Sequence, residues 1–337
     1  MKILGCLKLI DSGEVDWKLL AIESTSPMYK ELNTIEEFRD RYTQKYEDIK
    51  TWFRTYKVKA GKKRGNFFLR EDEDISVKET IEIINETHED FLKKRPLAVQ
   101  KLTAKAKHTE EGNHIYLYNE KGEPCSWWDD VPRKGPGYAE DEFNMILEIS
   151  QYKRAKMEIS RDIDSNPIVQ DKIESNTKPG KIVPREYAID PIFNYGAIPQ
   201  TWEDPARKAE EGEYYGDKDP IDVVEISGFP LLRYEVYKIR VIGVLKVIDA
   251  NEVDWKVIAI DVNSDLNKKV KTWDDWLREC PGQLQAIKDW FITYKTFVGG
   301  APNIIVRDDE VISLKETLEI IQETAEDWER KTSQEEK

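Results

Sequence analysis

The amino-acid sequence predicts an α+β fold, mainly β, part of which is built twice in one chain. Length is the first observation: 337 residues exceed one ordinary domain of roughly 100–200 residues. An internal repeat is the second, and short β-branched runs followed by helical patterns are the third. Apolar residues make up 39% of the chain and aromatic ones 10%, enough for a packed core and too much for global disorder.

The repeat is read first because it sets the domain count. Gly5–Ile22 (GCLKLIDSGEVDWKLLAI) stands in register with Gly243–Ile260 (GVLKVIDANEVDWKVIAI) at an offset of 238. The same offset lays Trp52-Phe53 and Thr55-Tyr56-Lys57 on Trp290-Phe291 and Thr293-Tyr294-Lys295. After a one-residue slip, Lys78-Glu79-Thr80 matches Lys315-Glu316-Thr317. Residues 1–95 are therefore expected to form a partial repeat and residues 96–337 a complete domain. Their junction is the charged, Pro-broken stretch Leu92–Leu97.

Val241–Val247 and Val257–Val262 are nearly continuous apolar runs rich in β-branched residues, the pattern of buried strands. Leu284–Tyr294 and Ser313–Trp328 read as helices. In the second, Leu314, Leu318, Ile321, Ala325 and Trp328 recur at three- and four-residue steps. Between 114 and 160, Ile115–Leu117, Met145–Leu147 and Met157–Ile159 alternate with polar turns, which predicts an antiparallel meander. Strands first and helices last give an α+β or barrel-plus-helices architecture.

Charge narrows the function. The chain carries 52 basic and 66 acidic residues, a formal net charge of −14. Such a balance disfavours nucleic acid and anionic membrane as partners and suits divalent cations. Three scattered cysteines (Cys6, Cys125, Cys280) argue against a disulfide framework and for a reducing compartment, here the cytoplasm. With only His88, His108 and His114, none paired in spacing, a metal would be held by oxygen ligands. No run reaches the ~18 apolar residues of a membrane helix, and charge interrupts the N-terminal stretch too early for a secretory signal.

The densest acidic feature is Gly216-Asp217-Lys218-Asp219-Pro220-Ile221-Asp222-Val223. Carboxylates this close repel one another unless a cation or proton neutralises them. Taken as extended, the segment puts Asp217 and Asp219 on one face, with Lys218 alternating away. A solvated acidic turn is the plainer reading. An EF-hand loop needs Gly and Glu at its sixth and twelfth positions, and Asp222 and Gly228 stand there. An aspartyl-phosphate phosphatase would want an apolar strand before the first Asp, and the entry is polar. A second acidic connection, Asp249 to Asp254 followed by Lys256, reads alone as an ordinary β-turn. Lys156 and Glu158 share one face of a strand, which alone is a surface ion pair.

Together these pieces resemble the soluble family I inorganic pyrophosphatases of the longer eukaryotic type. The likeness runs over roughly residues 96–331. It includes Gly-Glu-Pro-Cys-Ser-Trp-Trp-Asp-Asp-Val-Pro (122–132), Phe-Asn-Met-Ile-Leu-Glu-Ile (143–149), Ala-Lys-Met-Glu-Ile (155–159), Asn-Pro-Ile-Val-Gln-Asp (166–171) and Asn-Tyr-Gly-Ala-Ile-Pro-Gln-Thr-Trp-Glu-Asp-Pro (194–205). Many separated matches in order outweigh any single motif.

The resemblance implies an OB-like five-stranded barrel with flanking helices and Mg²⁺-dependent hydrolysis of pyrophosphate, with Mn²⁺ as a substitute ion. Carried over by position, Asp217, Asp222, Asp249, Asp254 and Glu158 would hold the metals, and Asp219 would be the general base. Lys156, Arg185, Tyr195, Tyr294 and Lys295 would contact phosphate, with Glu148 and Lys256 as further pocket residues. Lys218 departs from the small or polar residue preferred there, and Gln151-Tyr152 replace the Arg-Trp pair of family dimers.

The N-terminal repeat keeps Asp11, Asp16, Lys18, Tyr56 and Lys57 but lacks counterparts of Glu148 through Asp222. It is not expected to hydrolyse pyrophosphate alone or to close a barrel. Three readings stand for it: a pseudo-dimer partner for the complete domain within one chain, a complement to strands of another chain, or a remnant of a tandem protein. A homodimer is the other assembly expected. A pyrophosphatase-like binding or assembly protein of weak activity is the alternative function.

Overall fold

The two β-branched runs that repeat in the sequence each fold back on themselves as a hairpin. The computed structural model describes residues 1–11, 14–59, 66–69, 74–94, 99–109, 112–175, 180–208, 214–306 and 312–335. They divide into two units, Met1–Lys93 and Lys94–Lys337. Residues 95–98, at the end of the expected junction, lie outside the described residues.

In the first unit, β1 (Lys2–Asp11) pairs antiparallel with β2 (Glu14–Ile22). The helices α1 (Ile35–Arg41) and α2 (Thr43–Lys59) follow. A short β3 (Phe67–Phe68) joins the far side of β1, and α3 (Val77–Lys94) ends the unit. Thr34 caps α1, its side chain accepting the Glu37 N–H at 3.2 Å, which satisfies one otherwise orphaned donor. Leu4, Leu7, Leu9, Ile35 and Phe38 make a small core.

The second unit begins with β4 (Thr103–Thr109), β5 (Gly112–Tyr118), β6 (Pro124–Cys125), β7 (Glu142–Ile149), β8 (Met157–Ile159) and β9 (Ile168–Gln170). It continues through β10 (Lys172–Glu174), β11 (Ile182–Pro184), β12 (Asn194–Ala197), β13 (Tyr215–Gly216) and β14 (Asp222–Glu225). The long hairpin β15 (Val236–Asp249) and β16 (Glu252–Asp261) precedes α4 (Asp265–Lys269), α5 (Trp273–Glu279) and α6 (Gln283–Thr293). Then β17 (Ile304–Val306) and α7 (Leu314–Glu335) end it.

Five of these strands close on themselves. β15 pairs with β16, β16 with β14 in parallel, β14 with β12, β12 with β7, and β7 with β15. Closure removes the open edges that an isolated hairpin would expose, and it is the OB-like barrel that the resemblance implies. The apolar runs of β15 and β16 are nearly continuous because both faces are covered. Ile242, Leu245, Ile258 and Ile260 pack with Trp276, Ile287, Trp290 and Phe291, while Val241, Val244, Val257 and Ala259 pack with Ile321 of α7.

The expected meander over 114–160 is not formed. β5 pairs with β4, β6 and β9, β8 pairs with β9, and β7 lies in the barrel between β12 and β15. Each run is a strand, but none of the three pairs with another. Alternation marks a strand's faces and says nothing about which remote strand covers its edge.

The two hairpins agree in detail. A register irregularity falls at Gly5 in β1 and at Gly243 in β15. A Cβ on Gly5 would lie 2.9 Å from the Ile35 side chain, and one on Gly243 2.5 Å from that of Trp273, so glycine permits both helix crossings. Thr272 caps α5 as Thr34 caps α1. Among the described residues, no helix is long and apolar enough to cross a membrane.

Candidate active site

The barrel strands deliver their polar ends to one cavity of about 370 Å³. All the residues singled out above as candidate site residues line it: Glu148, Lys156, Glu158, Arg185, Tyr195, Asp217, Asp219, Asp222, Asp249, Asp254, Lys256, Tyr294 and Lys295. They arrive from β7, β8, β12, β14, β15 and β16, from the residue before β8, from the loops after β11 and β13, and from the end of α6.

Lys256 stands at the centre. Its ammonium donates to Asp222 Oδ2 at 2.5 Å, to the Tyr195 hydroxyl at 2.7 Å and to Asp254. The Tyr195 hydroxyl in turn donates to Asp222. Burial opposes the Lys256 charge, but Asp222 and Asp254 outweigh it and hold its pKa well above the usual value. The parallel pairing of β14 with β16 sets Asp222 opposite Lys256. That register is why residues 34 positions apart share one proton network.

Asp249 and Asp254 are not the two ends of the connection between strands, as the sequence implied. The turn is only Ala250-Asn251, both with positive φ (50° and 71°), and Asp254 is already within β16. Primed turns of this kind match the twist of a hairpin. Asp249, the last residue of β15, accepts from Lys295, from the Tyr294 hydroxyl at 3.3 Å and from Asn303 Nδ2 at 3.5 Å.

The Asp217–Asp219 segment is a turn and not an extended stretch. Asp219 N–H donates to Asp217 Oδ1 at 2.9 Å, and Lys218 has φ 75°. The turn leaves Lys218 exposed. Arg161, absent from the sequence-based set, donates to the Asp217 carbonyl at 2.9 Å and pairs with Asp219 Oδ1 at 3.3 Å. Burial, with Asp219 and Asp222 nearby, pushes the Asp217 carboxyl up to about 7. Burial also pushes Asp219 up to about 7, with Arg161 opposing and Asp222 assisting.

Lys156 donates to Glu158 and to Asp171 Oδ2 at 3.1 Å, and Arg185 donates to the same Asp171 oxygen at 2.8 Å. Asp171 thus gathers the two cations. Glu148 is buried and accepts the Ile159 N–H at 2.7 Å. Burial and then Asp222 raise its pKa well above the usual carboxylate range. Tyr187 packs edge-on against Trp290 and Tyr294 and also lines the cavity.

Glu203 is the largest omission of the sequence reading. It lies in the loop after β12, 3% exposed, and Oε1 accepts the Trp255 N–H at 3.0 Å while buried Oε2 has no partner. Carboxylate oxygens of Glu203, Asp217 and Asp254 lie within 4.8 Å of one another, close enough to share one cation. Burial, then Asp217, Asp254 and Asp222, raise the Glu203 pKa well above normal. Three hard oxygen donors in one buried spot suit Mg²⁺-type ions. Glu203 stands within the quoted stretch 194–205, but nothing local set it apart as a site residue, because it meets Asp217 only through the fold.

Comparison with known proteins agrees with this geometry. The family model described as inorganic pyrophosphatase matches residues 1–92 and 145–329. The inorganic pyrophosphatase of Zygosaccharomyces bailii is 40% identical over 219 residues, spanning 63% of this chain and 73% of that protein. A type I inorganic pyrophosphatase structure from Toxoplasma gondii superposes with a TM-score of 0.61 at 32% identity, covering 68% of this chain and 99% of that one. An N-terminally truncated vacuolar soluble pyrophosphatase of Trypanosoma cruzi, solved with PPi, gives 0.61 at 33% identity over 69% of this chain and 91% of its own. With the closed barrel and the family match over both of its segments, the chain belongs to the inorganic pyrophosphatase family.

Proposed function

We propose that the chain hydrolyses inorganic pyrophosphate to two phosphates with Mg²⁺, or Mn²⁺ in its place, at the barrel cavity. The observation that carries this reading is one cavity that joins an acidic wall, Asp217, Asp222 and Asp254 with Glu203 close to two of them, to the cations Lys156, Arg185 and Lys295. A small anion of high charge needs both.

The donor set fits divalent metal. The buried carboxylates are all oxygen ligands, burial and their mutual repulsion raise the pKa values of Asp217 and Asp254 despite Lys256, and Glu203 Oε2 is orphaned. In our reading Asp217, Asp222, Asp249, Asp254 and Glu158 hold the ions, with Glu203 completing the innermost group. Bound there, the metals would supply Lewis acidity and neutralise substrate charge.

The chain's own residues do the rest. Asp219, with its pKa near neutrality, takes the proton of the attacking water, and Arg161 orients its carboxylate. Lys156 and Arg185, held together by Asp171, bind one phosphoryl group, and Tyr294 and Lys295 the other. Tyr195 donates to phosphate oxygen when its Asp222 bond is released, and Glu148 and Lys256 fix the pocket's polarity.

Asp219→Asn tests this directly: phosphate release should fall about 10²–10⁴-fold with the melting temperature kept. Residues 1–92 are, in our reading, a duplicate of the second hairpin with its flanking helices. Asp11 accepts from Tyr56 at 3.2 Å and Asn66 at 3.4 Å, much as Asp249 does from Tyr294 and Asn303, and Lys18 pairs with Asp16 at 2.6 Å. The Lys57 side chain lies outside the described residues. This unit is not a second catalyst, so full activity in the Asp219→Asn chain would overturn the assignment. Three free cysteines fit the reducing cytoplasm. For assembly we infer a homodimer or an intramolecular pseudo-dimer, which sedimentation of the full chain separates.

A further inference from the structure

Lys218 has φ 75°, a left-handed conformation that a residue with a Cβ ordinarily avoids. Its side chain is exposed, and the main chain around it is held at four points. In the peptide before it, the Asp217 carbonyl accepts from Arg161 at 2.9 Å, and the Lys218 N–H donates to the Glu203 carbonyl at 3.0 Å. In the peptide after it, the Asp219 N–H donates to Asp217 Oδ1 at 2.9 Å, and the Lys218 carbonyl accepts from the Trp202 indole N–H at 3.1 Å. Arg161, Glu203 and Asp217 already have places in the site. Trp202 has none, and it does not line the cavity.

Trp202 is itself anchored from behind. Its backbone N–H donates to the carbonyl of buried Thr324 in α7 at 2.8 Å. The residue before it, Thr201, accepts the Trp128 indole N–H at 2.8 Å. The Lys331 ammonium, also from α7, stands 4.4 Å from the ring centre of Trp128 and 5.8 Å from that of Trp202. An indole ordered in this way gives up little further freedom to make one more bond. The peptide whose oxygen it holds is the same one whose N–H meets Asp217 Oδ1. If that peptide turned, Asp217 would lose its backbone donor. Its carboxylate, which lies with those of Glu203 and Asp254 within 4.8 Å, would then lose its aim.

We propose that Trp202 is a positioning residue for the acidic wall, a role that builds on the metal-dependent reaction proposed above. Its indole N–H fixes the Lys218–Asp219 peptide and, through that peptide, the orientation of the Asp217 carboxylate toward a divalent cation. Small errors in such supporting geometry are costly at a site that must be preorganised. An indole that only filled space would stabilise the fold without acting on φ at Lys218. The two roles separate at position 218, because glycine takes a positive φ without steric cost. A glycine there removes the tendency that the indole bond opposes.

The test titrates Mg²⁺ into the full chain by calorimetry, which needs no turnover, beside phosphate release from pyrophosphate. Trp202→Phe keeps an aromatic ring and removes the donor. Its tightest Mg²⁺ binding should weaken about three- to tenfold, the worth of one such hydrogen bond. The Mg²⁺ dependence of activity should shift alike, with KM for pyrophosphate at saturating Mg²⁺ unchanged. Adding Lys218→Gly to Trp202→Phe should restore most of the lost Mg²⁺ affinity, a rescue that a packing role would not give. If Trp202→Phe does not fold, benzothienylalanine at position 202, which matches the indole in shape without its N–H, makes the same comparison. Mg²⁺ affinity unchanged on loss of the N–H, or a loss that Lys218→Gly leaves in place, overturns the proposal. The expected Mg²⁺ shifts in a chain that releases no phosphate would support Trp202 in this role and overturn the hydrolysis reading alone.

Discussion

Glu203 Oε1 accepts the backbone N–H of Trp255 at 3.0 Å. That single bond ties the loop after β12 to β16, one residue beyond Asp254, and leaves Oε2 facing the acidic wall without a partner. Glu203→Gln keeps an acceptor for Trp255 and removes the charge. Mg²⁺ affinity should fall about 10–100-fold, the usual range for altering a metal site's supporting shell. Titrating activity against Mg²⁺ checks it, and an unchanged Mg²⁺ curve would exclude Glu203 from the ion site.

Gly216 holds the same arrangement from the other side. A Cβ there would lie 2.4 Å from the Glu203 carbonyl oxygen, backbone against backbone with nothing flexible to yield. Gly216→Ala should destabilise by about 1–3 kcal/mol, the range for overpacking. Thermal unfolding in the presence of chelator measures this without the contribution of metal. An unaltered melting temperature would mean that the two loops can part freely.

Asp171 is a positioning residue. One of its oxygens collects Lys156 at 3.1 Å and Arg185 at 2.8 Å, and the cations hold its own pKa below the usual value against the effect of burial. Asp171→Asn should let both side chains swing and lower kcat/KM about 10²-fold. KM for pyrophosphate should rise while the Mg²⁺ dependence stays as it was. A shift in Mg²⁺ dependence instead would place Asp171 among the metal ligands.

Proton and metal compete for the acidic wall. Asp217 and Asp219 have folded pKa values of about 7, well above the 3.8 of a free Asp. A group of this sign binds its proton more tightly when folded, so the contribution of these two groups to ion-free stability is fullest at low pH. It declines as pH rises from about 4 towards about 7. A bound cation offsets that decline. The gain in melting temperature on adding Mg²⁺ should therefore grow from about pH 5.5 to about pH 8. An equal gain at both pH values would disconnect these carboxylates from the ion.

Much of this protein was legible in the residues alone. The repeat at offset 238, the apolar runs of the hairpin and the family likeness are local patterns or ordered matches, and such signals survive without coordinates. The same likeness singled out the residues that line the cavity. Other features depend on which remote segments touch. The pairing of β7 with β12 and β15, the left-handed turn at Lys218, and the convergence of Glu203, Arg161 and Asp171 on the site belong to that class. A strand's alternation reports two faces and no partner, and a buried Glu looks like any other until its neighbours are placed. The sequence by itself determined two copies of one hairpin. Only tertiary structure decided that one copy is closed into a barrel by β14 while, among the described residues, no strand pairs with the outer edge of the other, because edge covering is a long-range contact that no local period encodes.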